Sequence, residues 1–527
     1  MDFPLNIYSI EDVAAWRKVF FWPLSAKELY SIELAAHEGL LATIRPLPPR
    51  SRRALRVASG WLATQITDWA ASVITAARLA ERHDVRPVFT NARKPAEVRV
   101  QTTHCVKAIM DGALPRFDYF TPFCKGEGLR RASTAYLRLR QFASRCKQQY
   151  QHSPRGFLSD RLLCFNPNLD TLAYVRHTGE PFRVLPPAML FPSMTAAKVD
   201  DHAVPLSCFA DAAWGVAAIV DNCTEKTTGL RPDERLREFF AASVLRLMKM
   251  IDLDLEAVSR RRNLLAGKEI LTGTGGNYFT RVMSQVAREA GAHVTGFPHG
   301  GASSSIHWPK FALSELEMFD TFVVYDPLEA SVMLQYETID NRPDFKLVTS
   351  SYPSLLRTNP GKVKPSLDVA AIKTVMYVPP GFFGDRQGAQ LMPELVHFDL
   401  ELRLIEFFLD MGVRVIYKNR AKTLSSGSGF TLLDYFKDRD VVFEDRPFSH
   451  PDVLASADIF VFSKAASTAL WEAMYMTDKP VVLFHPDIPK LTEPFLAQDR
   501  IHFVKIAQDE RNRFLFDEND FWGQVTR

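Results

Sequence analysis

The stretch HPDVLASADIFVFSKAASTALWEAMYMTDKPVVLFHP, residues 450–486, decides the fold class of this chain. Two apolar runs, at 459–462 and 480–484, flank a small-residue turn, SKAAST, and a helical pattern at 469–476. This pattern predicts a strand, turn, helix, strand unit whose turn lies at the carboxyl end of a buried strand. Ligands bind at that edge of an open α/β sheet, because the helix N-terminus presents free N–H groups and a partial positive charge.

Four polar side chains of this unit are candidate nucleotide contacts. Ser463, Ser467 and Thr468 place hydroxyl groups at the turn. Glu472 lies one helical turn further on, where its carboxylate can reach a ribose diol. The unit therefore predicts a binding site for a phosphorylated nucleotide.

Strands and helices alternate from Gly267 up to a break at 355–373, and again beyond it. The alternation predicts parallel, doubly wound sheets, and the proline-bearing, basic break predicts a linker. The fold class is therefore α/β, with two Rossmann-like domains facing each other across a cleft. We assign 1–354 to an N-terminal acceptor-side domain, 374–490 to a C-terminal nucleotide-binding domain, and 491–527 to a tail that crosses back to the first domain.

The first 260 residues predict an irregular helical and α/β portion. Their longest apolar stretch, residues 54–80, is interrupted by charged and polar side chains. It predicts a buried core helix rather than a membrane span, which needs about 20 almost uninterrupted apolar residues. A membrane-surface helix is the alternative. Helical periodicity covers 25–41, 51–81 and 130–151, and strand-like runs cover 86–90, 162–166 and 215–220.

Composition sets the outer bounds. A chain of 527 residues is too long for one core, and about two to three domains are expected. The net charge of +3 argues against a dedicated nucleic-acid-binding protein but leaves open a basic face toward an anionic membrane. Six cysteines without CxxC spacing predict reduced thiols and no zinc site. The acidic N-terminal stretch lacks the features of a secretory signal, which predicts a cytoplasmic protein, and peripheral association with the inner face of the membrane stays open.

Two side chains of the first domain are candidate catalytic residues. His299 ends an apolar strand and precedes two glycines, so its imidazole is predicted to act at the sheet edge as a general base or as a hydrogen-bond donor. The turn GTGGN at 273–277 has two interpretations, a tight strand-to-helix turn or a close approach of the backbone to a ligand. Arg281, one helical turn later, is either a solvated arginine or a guanidinium that points at an anionic group.

Cations are also predicted at the cleft side of the second domain. Lys418 and Arg420 follow the strand VRVIY, where they would neutralise a diphosphate or a carboxylated phosphate ester. His450 and Pro451 begin a helix for which Ser449 is the predicted N-cap. The helix start explains the proline and leaves His450 as a further candidate.

These motifs together carry a resemblance. PHGG (298–301), YKNR (417–420) and ADIFVFSKAASTALWEAM followed by KPVVLFHP resemble the GT-B glycosyltransferase architecture. More narrowly, they are similar to bacterial surface-polysaccharide transferases: the capsule and lipopolysaccharide β-Kdo transferases and the CDP-glycerol glycerophosphotransferase group. The likeness covers residues 265–490. The chain departs from these relatives in reading KNR where a KxHP-like form is common, and in the second glycine of its histidine motif.

The resemblance implies roles for individual positions. His299 matches the histidine-glycine motif, and Lys418 matches the basic residue that meets donor phosphate. His450 with Pro451 resembles the HP pair of CMP-sugar-using transferases. In the retaining β-Kdo branch an N-domain aspartate is the nucleophile. Equal candidates for that aspartate are Asp201, Asp211 and Asp221, and the matched nucleotide contacts are Ser467, Thr468 and Glu472.

The implied function is a metal-independent glycosyltransferase without a cofactor. Its first-choice donor is CMP-Kdo or a related CMP-linked ulosonic acid, and its acceptor is a glycan or lipid-linked glycan of the bacterial surface. Two alternatives stay open. One is a glycerol- or ribitol-phosphate transferase that uses a CDP-alditol, with His299 as the base. The other is a non-catalytic scaffold component of a polysaccharide assembly complex.

Overall fold

The structure of the protein is a computed structural model that describes most of the chain. No helix of this described part is long and apolar enough to cross a membrane. The predicted helix at 130–151 and most of the predicted linker lie outside it. The described residues are 2–88, 102–115, 161–185, 187–191, 207–298, 305–324, 327–340, 342–347, 371–379, 393–418, 435–498, 500–519, 521 and 523.

Strands and helices alternate through most of these residues. The strands are β1 (Asp2–Pro4), β2 (Arg86–Val88), β3 (Leu162–Phe165), β4 (Arg183–Leu185), β5 (Glu269–Thr272), β6 (His293–Gly296), β7 (Thr321–Val324), β8 (Asp344–Leu347), β9 (Thr374–Val378), β10 (Arg414–Lys418), β11 (Val441–Glu444), β12 (Ile459–Phe462), β13 (Val481–Pro486), β14 (Ile501–Gln508) and β15 (Phe514–Leu515). The α-helices are α1 (Val13–Val19), α2 (Ala26–Ile44), α3 (Pro49–Ala80), α4 (Thr102–Met110), α5 (Leu169–Thr178), α6 (Pro187–Leu190), α7 (Ser207–Thr228), α8 (Glu234–Ser259), α9 (Tyr278–Glu289), α10 (Pro327–Met333), α11 (Glu394–Asp410), α12 (Pro451–Ala455), α13 (Thr468–Met476) and α14 (Glu493–Leu496).

Long helices build the N-terminal part, and α2 and α3 correspond to the helices predicted at 25–41 and 51–81. α2 begins with a capping box, in which the side chains of Ser25 and Glu28 each bind the other residue's backbone N–H. α3 packs against α2, α7 and α8 and buries side chains on all of its faces, as a helix inside a core does. This confirms the core helix predicted at 54–80. Residues 215–220, predicted as a strand, lie inside α7, because a short apolar run fits a buried helix equally well.

The first sheet is parallel throughout, in the order β4-β3-β5-β6-β7-β8. β3 and β7 are short, fully buried and mostly apolar runs, as parallel strands covered on both faces are. The sheet begins at Leu162, well before Gly267, where the alternation became visible in sequence. The long helices α7 and α8 separate β4 from β5 along the chain and hide this continuity.

The second sheet has the order β11-β10-β9-β12-β13-β14-β15, with only the last strand antiparallel among those described. β14 and β15 belong to this sheet. The predicted tail from residue 491 is therefore an integral part of the second domain. It also contacts the start of the chain, because Trp22 donates its backbone N–H to the Arg511 carbonyl oxygen at 2.8 Å.

Contacts from both ends of the chain hold the two sheet-containing parts together. The Trp16 ring lies 5.8 Å from that of Phe398 on α11. A second contact is an isolated antiparallel bridge that joins Ile306 to Leu491. The His307 N–H donates to the Lys490 carbonyl oxygen at 2.9 Å next to it. A segment that follows β6 thus lies against the chain that follows β13.

Candidate functional site

The SKAAST turn lies at the point where the strand order of the second sheet reverses. From β9 the chain moves outward in one direction to β10 and β11, and then returns to place β12 on the other side of β9. Counted from β9, this is the order 3-2-1-4-5-6 of dinucleotide-binding sheets. Their ligands bind in the crevice outside the carboxyl ends of the strands at this reversal. The sequence predicted that the turn lies at the end of a strand. The strand order shows in addition that this strand, β12, lies next to the point where the order reverses.

The two residues that begin α13 leave the helix N-terminus accessible. Ser467 is its N-cap and is half-buried, but its side chain makes no capping hydrogen bond. Thr468 is the first helical residue and is exposed. The backbone N–H groups of this first turn have no intrahelical acceptor, so they can bind an anion.

Ser463 has a different environment from the one predicted. It is buried at the end of β12, where its hydroxyl lies 2.7 Å from the Tyr377 hydroxyl and 3.0 Å from His397 Nε2. Behind them, the Tyr417 hydroxyl donates to the buried Glu401 carboxylate at 3.0 Å. Burial raises the pKa of Glu401, against the opposing effect of His397 and Tyr417. Ser463 therefore joins the turn to a buried polar network that sequence reasoning missed.

Glu472 occupies the predicted position on α13 and is half-buried. In the described part of the chain no group donates a hydrogen bond to its carboxylate. Burial raises its pKa. A half-buried carboxylate one turn into the helix can accept hydrogen bonds, and the contact with a ribose diol stays a prediction.

Lys418 ends β10 and is largely buried. Its Nζ donates to the Glu444 carbonyl oxygen at 3.1 Å, and burial lowers the pKa of its ammonium group. β9 separates β10 from β12, so the strand ends lie about 10 Å apart at the usual strand spacing. Lys418 is thus beside the reversal point but not at the turn itself. Arg420 and His299 lie outside the described residues, and their roles stay predictions.

His450, rather than Ser449, is the N-cap of α12. Its Nδ1 accepts the Asp452 backbone N–H at 3.3 Å, and Pro451 occupies the first helical position as predicted. The preceding loop turns back over β12, since the ring of Phe448 lies 5.4 Å from that of Phe460. The imidazole is partly exposed, and one of its two nitrogens is used for the cap.

Arg281 is a structural residue, and the catalytic role predicted for it is wrong. The side chain is completely buried, and burial lowers its pKa to about 10. Its guanidinium donates to carbonyl oxygens of three separate elements, including Val57 and Leu313 at 2.7 Å each. A guanidinium with these partners joins α3, the turn after β5 and the helical turn at Ala312–Leu316, and presents no face to a ligand. The sequence did not reveal this role, because burial of an arginine depends on contacts with remote residues.

The GTGGN turn is occupied by a carboxylate of the protein itself. Glu315 accepts the Gly275 N–H at 2.9 Å and the Thr274 hydroxyl at 2.7 Å. A Cβ atom on Gly275 would lie 2.7 Å from the Ser314 carbonyl oxygen, so only glycine fits. Of the two interpretations, the structure shows the tight strand-to-helix turn.

The three candidate aspartates differ in their location and burial. Asp201 is not among the described residues. Asp211 is exposed on α7, and Asp221, on the same helix, is buried and accepts a hydrogen bond from Arg237 Nε at 2.6 Å. Burial raises the pKa of Asp221 against the opposing effect of Arg237. No cluster of three or more His, Cys, Asp or Glu side chains able to hold a metal occurs among the residues that could be described.

A small cavity lies next to the turn, between the two sheet-containing parts. Its volume is about 50 Å³, which is room for a few water molecules. One wall comes from the chain after β6, and the others from the SKAAST turn and from the end of β13. The lining residues are Ile306, Trp308, Ser463, Lys464, Ala465, Ala466, His485, Pro486, Ile488 and Pro489.

His485 and Trp308 are two lining residues of this cavity that the sequence analysis did not single out. His485 Nε2 lies 2.8 Å from the Pro489 carbonyl oxygen, and burial lowers the pKa of the imidazole to about 4. The sequence signal for it is the HP dipeptide that ends KPVVLFHP and forms the last two residues of β13. Trp308 had no local signal, because its segment reaches the cavity only through the packing of the two parts.

The Trp308 wall is anchored on both sides. Its backbone N–H donates to the Tyr336 hydroxyl at 2.9 Å, and that hydroxyl donates to the Ile306 carbonyl oxygen at 3.2 Å. Lys310 Nζ lies 4.0 Å from the centroid of the Trp308 ring and forms a buried ion pair with Glu33 of α2. The N-terminal helices therefore hold one wall of the cavity in place.

Comparison with known proteins adds distant likenesses to solved structures. No protein-family model matches the chain, and no curated protein sequence matches it. Among solved structures, E. coli ADP-heptose lps heptosyltransferase II is similar with 12% identity and a TM-score of 0.24, over 66% of this chain and 92% of that protein. A superposition this loose supports no inference about fold or activity.

Proposed function

We propose that this protein is a glycosyltransferase that takes a sugar from a nucleotide donor. The proposal rests chiefly on one observation: the SKAAST turn lies at the reversal point of the second sheet, beside a cavity shared with the first part of the molecule. A donor bound at the turn by its phosphate would direct its transferable group toward that shared space. Two Rossmann-like domains facing across a cleft, as in the GT-B architecture that the sequence motifs resemble, would use the turn and the shared space in this way.

Each described residue has a distinct part in this proposal. The first N–H groups of α13 bind the donor phosphate, and Thr468 adds a hydroxyl. Glu472 accepts hydrogen bonds from the ribose. Lys418 stabilises the negative charge that develops on the leaving phosphate, and its lowered pKa reflects burial, which strengthens such an interaction.

The sequence supplies the remaining parts. His299 acts on the acceptor hydroxyl as a general base, and Arg420 assists Lys418. CMP-Kdo or a related CMP-linked ulosonic acid is the first-choice donor, because the HP pair at His450 and Pro451 resembles that of CMP-sugar-using transferases. The acceptor is a glycan or lipid-linked glycan, and the enzyme works without a metal, in the cytoplasm or at the inner face of the membrane.

Product analysis tests the proposal and separates it from its alternatives. With CMP-Kdo and a surface-glycan acceptor, a glycosyltransferase releases CMP and forms a glycosidic ketose. With CDP-glycerol, the alternative transferase releases CMP and forms a phosphodiester. His299→Ala and Lys418→Ala should each reduce turnover at least about a hundredfold, the usual range for a general base or a charge-stabilising donor.

The scaffold alternative predicts the opposite result. If cells carrying His299→Ala or Lys418→Ala make the polysaccharide normally, while deletion of the N-terminal helices stops its synthesis, the chain acts by binding and the proposal is wrong.

A further inference from the structure

His485 lines the cavity beside the turn, and its contact with a neighbouring carbonyl group decides which of its ring nitrogens can accept a hydrogen bond. Pro489 can only accept through its carbonyl oxygen, so His485 Nε2 must carry the hydrogen in their 2.8 Å contact. Burial lowers the pKa of the ring, which stays neutral near pH 7. The tautomer is therefore settled, and Nδ1 carries a lone pair. Among the described residues, no group donates a hydrogen bond to Nδ1.

The rest of the lining limits what can bind there. Ile306, Trp308, Ala465 and Ile488 are apolar, and Lys464 is the cation of the turn. A volume of about 50 Å³ suits a group of a few heavy atoms. The polar side chains of the recess are then Lys464, His485 and Ser463, and the Ser463 hydroxyl already bonds to Tyr377 and His397. A largely apolar recess with a neutral acceptor on His485 fits a small hydroxyl-bearing carbon.

We propose that this cavity binds a hydroxyl-bearing exocyclic carbon of the transferred sugar, with His485 Nδ1 accepting the hydroxyl hydrogen and Trp308 covering the carbon. This inference rests on the proposed function, and it assigns a specificity-determining pair to the same site. The turn binds the phosphate, and the cavity adjoins it on the side facing the first part of the molecule. The group attached to the phosphate is thus the part of the donor that reaches the cavity.

Two substitutions of His485 separate its two nitrogens. His485→Gln places an amide NH2 near the former Nε2, so it keeps the donor for Pro489 but removes the acceptor at Nδ1. His485→Asn places its amide near the former Nδ1, so it keeps an acceptor but gives up the bond to Pro489. A residue with only a structural role would tolerate Gln better than Asn, whereas a ligand acceptor would show the reverse order.

Calorimetry on the full chain measures the effect as a ratio of affinities. For the wild-type protein and both variants, the affinity for CMP-Kdo is divided by the affinity for CMP. The same ratio is measured for three further pairs: UDP-glucose and UDP, GDP-mannose and GDP, and CDP-glycerol and CDP. His485→Gln should reduce the preference for the conjugate over the bare nucleotide by about three- to tenfold, the value of one hydrogen bond. His485→Asn should keep most of that preference. His293→Gln, on β6 and outside the cavity lining, is the control and should leave it unchanged.

The outcomes are distinct. A preference that falls in His485→Gln and persists in His485→Asn supports the assignment. An unchanged preference in His485→Gln, or an equal fall in both variants, overturns it while leaving nucleotide binding intact. Weaker binding of the bare nucleotide in His485→Gln by the same factor also overturns it, because the cavity would then hold the base or ribose. If none of the bare nucleotides binds to the wild-type protein, the proposed function itself fails, and this inference fails with it.

Discussion

The buried ion pair between Lys310 and Glu33 permits a quantitative test of how the N-terminal helices support the candidate site. Both side chains are almost wholly inaccessible, with exposed fractions of 9% and 2%. Removing one partner of such a pair leaves the other charge buried alone and costs about 3–5 kcal/mol. Lys310→Met also loses the contact of the ammonium with the Trp308 ring, worth about 0.5–2 kcal/mol. We expect Lys310→Met to lower the free energy of unfolding by about 4 kcal/mol at pH 7.

The double variant Glu33→Leu with Lys310→Met should recover most of this loss, because an apolar pair of similar volume avoids the cost of burying charge. Urea unfolding followed by circular dichroism and tryptophan fluorescence measures both. The matched control is Lys107→Met, which breaks the exposed pair with Asp111 and should cost about 0.5 kcal/mol or less. A loss below about 1 kcal/mol in Lys310→Met, or a double variant no better than the single one, would refute the reasoning.

The pH dependence of Lys310→Met gives a second test of the same pair. Burial raises the pKa of Glu33, with Lys310 and Trp308 opposing the rise and the Tyr30 hydroxyl close by. Without Lys310 the folded state binds a proton at Glu33 more tightly than the unfolded state does. The free energy of unfolding of the variant then rises as the pH falls. The difference in stability between Lys310→Met and the wild-type protein should therefore be smaller at pH 5 than at pH 7. A deficit that stays constant over this range would mean that it comes from lost packing.

Two further predictions concern buried groups away from the cavity. His37 faces Glu337 and Arg45, and burial lowers its pKa from 6.5 to about 4. As the pH falls below 6.5, the imidazole binds a proton in the unfolded state before it does so in the folded state. The free energy of unfolding therefore falls between pH 6.5 and pH 4, by at most about 3 kcal/mol. His37→Gln should reduce this fall in a series of unfolding measurements at different pH, and an unchanged pH dependence would exclude His37 as its cause. Arg281→Lys removes the hydrogen bonds on one side of the buried guanidinium, so it should lower the free energy of unfolding by about 3 kcal/mol. The folded variant should keep its nucleotide affinity. A loss of nucleotide affinity without a loss of stability would show instead that Arg281 belongs to the binding site.

The sequence predicts local features of the fold well and remote contacts poorly. The unit from His450 to Pro486 forms as predicted, because apolar strand runs and the helical spacing between them are local properties. The core helix at 54–80 was also predicted, from polar interruptions that exclude a membrane span. By contrast, the first sheet was placed too late in the chain, since α7 and α8 separate its strands. The strands of the tail were missed for a related reason, because strand order depends on pairing between distant segments.

The same distinction separates the predicted from the missed site residues. Thr468 and Glu472 follow from helical spacing after a strand end, and they lie where the sequence placed them. Arg281 was misjudged, because its carbonyl partners come from α3 and from Ala312–Leu316, far away in sequence. His485 and Trp308 were overlooked, since neither lies in a motif that signals chemistry by itself. They become visible only when packing brings the end of β13 against the chain after β6.

Calorimetric titration with CMP, CDP, UDP and GDP is the most direct test of the central claim, that the turn at the sheet reversal binds a nucleotide phosphate. The wild-type protein should bind one of the four at least about tenfold more tightly than the others. Thr468→Asp should weaken that binding at least about tenfold by repelling the phosphate, while an acidic residue in the first turn favours the helix itself. Equal or absent binding of all four nucleotides, or a Thr468→Asp variant that binds as tightly as the wild-type protein, would contradict the account.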